Sequence, residues 1–333
     1  MLLRYFLKRL IYMVVVFIVI SMVIFTIFQM VPGDPVLRFM SPEDQRLPPG
    51  VFDILYDEIR LRLGLDRPLH IQYIRWLTNM LQGDFGQSIQ HSRSVNEVLP
   101  GPLIVTLQIN AIVMFIVFLV SVPLGITSAI KRGSVYDNTV QTVTLLGLSL
   151  PMFIIAIAAI MFFSVFLSLT PVSGFGDPLF IIHNPDATAW EIFLNRLPFI
   201  VLPVMILSFA SLAGLTRFVR VSMIDALSQD YIRTARSKGL GEGSVVYRHA
   251  FRNSMIPFIT SLVAWLIGLV GGAIVIETIF GIMGMGRLFV DALSHFDWNL
   301  ALIINTIFTV MILIGYLLVD FAYVLVDPRV RLT

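Results

Sequence analysis

Few residues in this chain are typed and spaced for bond-making chemistry. The five histidines (His70, His91, His183, His249, His295) are scattered. None falls in the H-E-x-x-H form that sets two imidazoles on one helix face around zinc. Gly281 to Gly286 reads G-I-M-G-M-G, a superficial match to a nucleotide-binding glycine loop. It follows an apolar helical stretch, so its glycines are read as permitting turns and close packing, with no nucleotide role. None of the three lysines follows a glycine, so the P-loop pattern G-x-x-x-x-G-K-[ST] is absent and the chain does not cradle ATP phosphates in that way. There are no cysteines, which excludes thiol chemistry, disulfides and Cys-ligated metal. No catalytic, cofactor-binding or metal-ligating residue is assigned.

What remains is one polar, basic passage, Ser222 to Pro257, set between two strongly apolar segments. Seven Arg or Lys residues lie between Arg217 and Arg252, against three acids, Asp225, Asp230 and Glu242. Ser222 with Asp225 has the S-x-x-D form of a capping box, although the preceding helix can also run straight through it. Met223 to Lys238 has no Pro or Gly and reads as a helix. Gly239 stands where a left-handed C-terminal cap belongs, with Lys238 in the last turn at the negative end of the dipole. Helical spacing puts Tyr231, Ala235 and Lys238 on one face with Thr234 beside them. A second short helix fits Gly243 to Asn253. The plain alternative is a basic loop held against lipid headgroups.

The elements around this loop are membrane spans. Mean hydropathy is +0.88 and 57% of residues are apolar, far above a soluble domain, while the net charge of +2 gives no reason to invoke nucleic acid. About 20 apolar residues cross a bilayer core. Residues 1–9 form a basic head with Arg4, Lys8 and Arg9, and 10–31 is a first span without a signal-peptide cleavage site. Residues 32–102 have the composition of a small external domain. In it Asp53 is placed to cap a helix ending at Gly64, and Pro68 to start another ending near Gly83. Further spans follow at 103–130 (with Pro123), 140–169 (with Pro151), 197–219, 256–280 and 300–326; the long ones are expected to tilt or kink. Between them lie an inner turn with Lys131, Arg132 and Asp137, an outer loop at 170–196, the inner loop at 220–255, an outer loop at 281–299, and an inner tail at 327–333. The expected fold is an all-α, six-span integral membrane protein.

Charge sets the orientation. All three lysines and eleven of the twenty arginines fall in or at the edge of the segments read as cytoplasmic, which places both termini inside. Trp190 and Trp298 fall at outer boundaries, as interfacial anchors do.

The residues D-Y-I-R-T-A-R-S-K-G-L (230–240) and R-H-A-F-R-N-S-M-I-P (248–257) resemble the cytoplasmic loop of permease subunits of ABC importers in the dipeptide/oligopeptide group. The general importer pattern, E-A-A-x-x-x-G-x9-I-x-L-P, falls on Arg233, Thr234, Ala235 and Gly239, then on His249 to Arg252. Only Ala235 and Gly239 match it, whereas the peptide-permease form of the loop is kept almost residue for residue. P-G-D-P (32–35), L-G-L-D-R-P (63–68), G-D-F-G-Q-S (83–88), E-T-I-F-G-I-M-G-M-G-R (277–287) and D-P-R-V-R (327–331) carry the resemblance nearly end to end. It implies a type I importer permease in the cell inner membrane, with no cofactor of its own. The implied partners are a second permease, two ATPase subunits that hold ATP and Mg, and an extracytoplasmic solute-binding protein. It also implies that the loop is a coupling helix seated on the ATPase, using Tyr231, Arg233, Thr234, Ala235, Lys238 and Gly239. The implied cargo is a peptide, with nickel complexes, glutathione and oligosaccharides as alternatives within the group.

Polar residues inside spans usually face a bundle interior or a wet path. Asn110, Ser149 and Asn305 are candidates for path lining, although single amides and hydroxyls more often join helices. Asp320 is near the inner end of the last span, within reach of Arg329 or Arg331. Gly268 and Gly272 form a G-x-x-x-G packing face. A stand-alone channel or ion-coupled transporter would need charge within its spans, and the acids near the spans sit at their ends. An intramembrane enzyme would need a convergent His/Asp/Glu set, and none is visible.

Overall fold

The computed structural model describes residues 2–31, 33–41, 43–254 and 273–326. It divides into two compact units, Met1–Pro102 with Leu288–Leu313, and Leu103–Arg287 with Ile314–Thr333.

The first unit begins with α1 (Leu2–Gln29), which is 28 residues long, or about 42 Å at 1.5 Å per residue. Residues 2–9 of the basic head are part of this helix. Five elements follow: α2 (Pro35–Phe39), a 3₁₀ turn (Asp44–Arg46), α3 (Pro49–Leu63), α4 (Leu69–Leu81) and a two-stranded hairpin, β1 (Gln87–Ser88) with β2 (Arg93–Ser94). Asp34 caps α2 through Val36 N and receives the Tyr56 hydroxyl at 2.6 Å. That bond holds the Tyr56 phenol above its ordinary pKa. Asp53 does not cap α3. The helix starts four residues earlier, at Pro49 after Pro48, because proline at the first helical position needs no hydrogen-bond acceptor for a missing N–H. Its stop at Gly64 and the span of α4 from Pro68 to the turn at Gly83 are as expected. α4 is fastened to α1 by the Ser21–Tyr73 hydroxyl pair at 2.8 Å. Phe25, Tyr73 and Leu302 form a small core there, joined by Trp76. The hairpin is held by Asp297, fully buried, whose carboxylate accepts from Ser88 Oγ and Gln90 N. Its other oxygen caps α15 (Trp298–Val326) through Leu300 N.

The second unit carries most of α6 (Pro100–Ile130), which α5 (Val95–Val98) precedes. α7 (Val135–Ser149) and α8 (Met152–Ala159), the latter extended by a π-wound stretch Ile160–Phe166, meet at an angle of 99°. The third expected span is therefore sharply broken at Leu150–Pro151, where proline lacks the N–H that would continue the ladder. After α9 (Pro178–His183) comes α10 (Ala189–Leu227). Its 39 residues start at a Thr188–Glu191 capping box and run straight through Ser222 and Asp225, so the second capping box does not form. At about 58 Å the helix is nearly twice the thickness of a hydrocarbon core and must project beyond it. Val117 and Ile126 of α6, Ala156 of α8 and Leu215, Val219 and Met223 of α10 make the core, with Ile276 and Phe280. α13 (Ile274–Ile279) and α14 (Met285–Ser294) lead towards α15.

Among the described residues, four helices are long and apolar enough to cross a membrane: α1, the α5–α6 run, α10 and α15. The bent α7–α8 pair makes five if taken as one span. The expected fifth span, 256–280, falls mostly outside the described residues, as do Gly268, Gly272, Arg329 and Arg331.

Candidate functional site

At the end of α10 the chain does not continue as one helix to Lys238. It breaks at Ser228–Gln229, where Gln229 is extended (ψ 152°), and restarts as α11 (Asp230–Ser237). The break lets α11 turn its apolar face inward. Ile232 is 0% and Ala235 5% exposed. They lie with Val245, Val246 and Ala250 of a second short helix, α12 (Ser244–Phe251, π-wound), in one core that includes Met223 of α10. Ser254 Oγ reaches Met223 Sδ at 3.2 Å and secures the far end of this hairpin.

The turn between α11 and α12 is built by Gly239. Its φ of +75° is a left-handed conformation that costs any L-residue with a Cβ. Gly239 N donates to Arg236 O, and Leu240 N to Ala235 O, the paired bonds of a Schellman cap. Arg236 then grips Glu242 through Nε (2.8 Å) and Nη2 (3.3 Å) across the turn. The guanidinium holds the Glu242 carboxyl below its ordinary pKa, and the carboxylate raises that of Arg236.

The expected coupling residues thus divide. Tyr231, Arg233, Thr234, Lys238 and Gly239 are exposed on α11 and its turn. Ala235 does not share their face: it points into the chain's own core, because the burial of Ile232 and Ala235 sets the rotation of the helix. With Arg236, Arg248 and Arg252 also exposed, the hairpin presents a basic, tyrosine-bearing surface.

A second arrangement was not foreseen from the sequence. Asp137 on α7, 1% exposed, receives both Nε and Nη2 of Arg220 on α10, at 2.6 and 2.7 Å. It also accepts from Gly133 N at 2.9 Å, which closes the turn that holds Lys131 and Arg132. The pair ties that turn to α10 ten residues before α11 begins. Eighty-three positions separate the partners, so spacing gave no signal. The available hint was a charge of each sign bordering an apolar run.

A third cluster gathers around Glu277, which is 4% exposed. Its carboxylate accepts from Thr106 Oγ1 (3.0 Å), Arg287 N (2.9 Å) and Ala273 N (3.3 Å), while Thr106 Oγ1 accepts from Met285 N (2.8 Å). The glycines of residues 281–286 earn their place here: a Cβ on Gly284 would stand 2.5 Å from Glu277 Oε1.

Three of the candidate path residues, Asn110, Ser149 and Asn305, fall among the described residues. The Ser149 hydroxyl bonds back to Leu145 O within its own helix. Asn110 and Asn305 are half-buried and belong to different units. Among the described residues no group of three His, Cys, Asp or Glu side chains is placed to hold a metal ion.

Long apolar helices with an exposed, well-braced basic hairpin after α10 have the build of a multi-span membrane protein. A family model described as binding-protein-dependent transport system inner membrane component matches residues 121–332, and the model of that family's N-terminal region matches 2–96. The chain belongs to this family. It is 34% identical over 328 residues to the oligopeptide transport system permease protein AppB of Bacillus subtilis, covering 98% of this chain and 99% of that one. It is also 34% identical over 341 residues to the dipeptide transport system permease protein DppB of Escherichia coli K12, covering 99% of each. Over 334 residues it is 34% identical to the di/tripeptide transport system permease protein DppB of Pseudomonas aeruginosa, covering 97% of each. The chain is thus an inner-membrane, multi-pass permease component and not an enzyme; in this family the ATPase is a separate subunit.

Proposed function

We propose that the chain is one of two transmembrane subunits of an ATP-driven peptide importer, and that residues 222–257 carry the coupling to the ATPase. The single observation that supports the coupling role is the build of α11. It is a short helix with a braced inner face and a basic outer face, at the end of a helix long enough to traverse the bilayer. The names of the full-length relatives support peptide as cargo. In this reading both termini and the 220–255 loop are cytoplasmic, and residues 32–102 face the binding protein's side. A second permease completes the path, and two ATPase subunits hold ATP and Mg. ATPase closure pushes on Tyr231, Arg233, Thr234 and Lys238. The apolar seat of Ile232 and Ala235 passes the push to α12 and α10. The Arg220–Asp137 pair carries it on to α7.

The burial of Ala235 changes which substitution tests this. Ala235→Arg would disturb folding as well as docking, so the test is Thr234→Arg beside Gly239→Pro. Proline cannot adopt the +75° φ of Gly239. Both variants are expected to insert into the membrane and to lose ATPase co-purification and peptide uptake by at least tenfold. Uptake at the wild-type rate with Thr234→Arg would remove the coupling assignment.

A further inference from the structure

The first unit contains a cavity of about 900 Å³, the size of a small-ligand site. Its wall includes the last turns of α1 (Phe25, Phe28, Gln29) and the first turn of α15 (Trp298, Asn299, Leu302). Both helices are apolar enough to cross a membrane. The cavity therefore lies where two spans leave the hydrocarbon, the level at which tryptophan and arginine meet headgroups.

Its polar groups are unbalanced. Two acids line it, and each is already engaged: Asp34 by Val36 N and Tyr56, Asp84 by Gly86 N. The Asn299 amide is committed to Phe85 O and Gln87 O. Three arginines line it as well (Arg60, Arg67, Arg75), and among the described residues none has a carboxylate partner. The buried Trp76 indole N–H finds no acceptor among them either. Arg75 is seated over Gly64, where a Cβ would stand 2.9 Å from Nη1. The cavity thus offers donors in excess of acceptors against an aromatic wall. A ligand with an anionic head and an apolar attachment satisfies both.

We propose that this cavity binds the phosphate headgroup of an anionic phospholipid, with Arg60, Arg67 and Arg75 on the phosphate and an acyl chain along Phe25, Phe28 and Trp298. The position at the ends of two spans favours a lipid over a soluble anion, because a bilayer presents the head and the chain together at that depth.

The test uses the full chain, purified with its partner subunits, in nanodiscs of phosphatidylcholine with increasing phosphatidylglycerol. Retained lipid is counted by native mass spectrometry. Wild type is expected to retain phosphatidylglycerol about tenfold better than phosphatidylcholine, the order of one charge-assisted contact. Arg60→Gln/Arg75→Gln is expected to abolish the preference while subunit co-purification is unchanged. Arg46→Gln, an exposed arginine outside the cavity, is expected to keep it. Equal preference in wild type and the double variant overturns the proposal. So does full displacement of the lipid by inorganic phosphate or by a carboxylate-terminated tripeptide at equal concentration, which would assign the arginines to a soluble anion.

Discussion

Asp137 and Arg220 show what a charge costs when it is taken out of water. Asp137 is buried, and its two oxygens are occupied by a bidentate guanidinium and a backbone N–H. Removing one partner strands the other, an effect of about 3–5 kcal/mol. Arg220→Met is therefore expected to lower the thermal midpoint of the detergent-solubilised protein strongly. Asp137→Leu combined with Arg220→Met is expected to recover most of the loss, and a double variant as unstable as the single one would show that the pair is not acting as a unit. Gly284 makes the complementary point about space. A methyl there meets Glu277 Oε1 at 2.5 Å and Thr106 Oγ1 at 2.6 Å, so Gly284→Ala is expected to cost about 1–3 kcal/mol, as overpacking does. Gly50→Ala, with nothing within 4 Å of the added carbon, serves as the unaffected control in the same melting experiment.

At the scale of elements, the α11–α12 hairpin turns on the Arg236–Glu242 pair and on Gly239. The Glu242 carboxyl has its pKa lowered by Arg236. A group depressed in the folded state stabilises it above the unfolded pKa, about 4.3 for glutamate, and loses that contribution as the pH falls through the lower folded value. Amide exchange across residues 238–241, corrected for intrinsic rates, is expected to quicken as the pH drops below about 4. Glu242→Gln should exchange at the faster rate throughout and show no such step. Here sequence and structure part in an instructive way. The left-handed stop at Gly239 was legible because glycine, lacking a Cβ, adopts that φ at the least cost. The break at Ser228–Gln229 was not, because no proline or glycine marks it. It exists to turn Ile232 and Ala235 into a core supplied by α12 and α10, and that core is assembled from residues on separate helices, Met223 before the break and Val245, Val246 and Ala250 after the turn.

At the scale of the whole molecule, the absence of cysteine permits a direct test of the topology. Single cysteines at exposed Asp66 and Ser237 are expected to react oppositely with a membrane-impermeant maleimide on intact spheroplasts. Asp66→Cys should be labelled from outside, and Ser237→Cys only after permeabilisation. Labelling of both from the outer side would reverse the assignment of the α11 loop.

The sequence by itself determined the properties that depend on composition within one short window. These are the apolar runs that become α1, α6, α10 and α15, the charge asymmetry, the polar loop with its glycine stop, and the lack of a P-loop motif. A bilayer rewards such runs wherever they occur, so they need no distant partner to be recognised. Tertiary structure alone decided which side of α11 is free and how sharply α7 and α8 part at Pro151. It also decided that Asp137 meets Arg220 and that Glu277 meets Thr106, 171 positions away. Buried polar groups must find partners wherever the packed helices bring them, and packing follows shape and burial, which no spacing along the chain records.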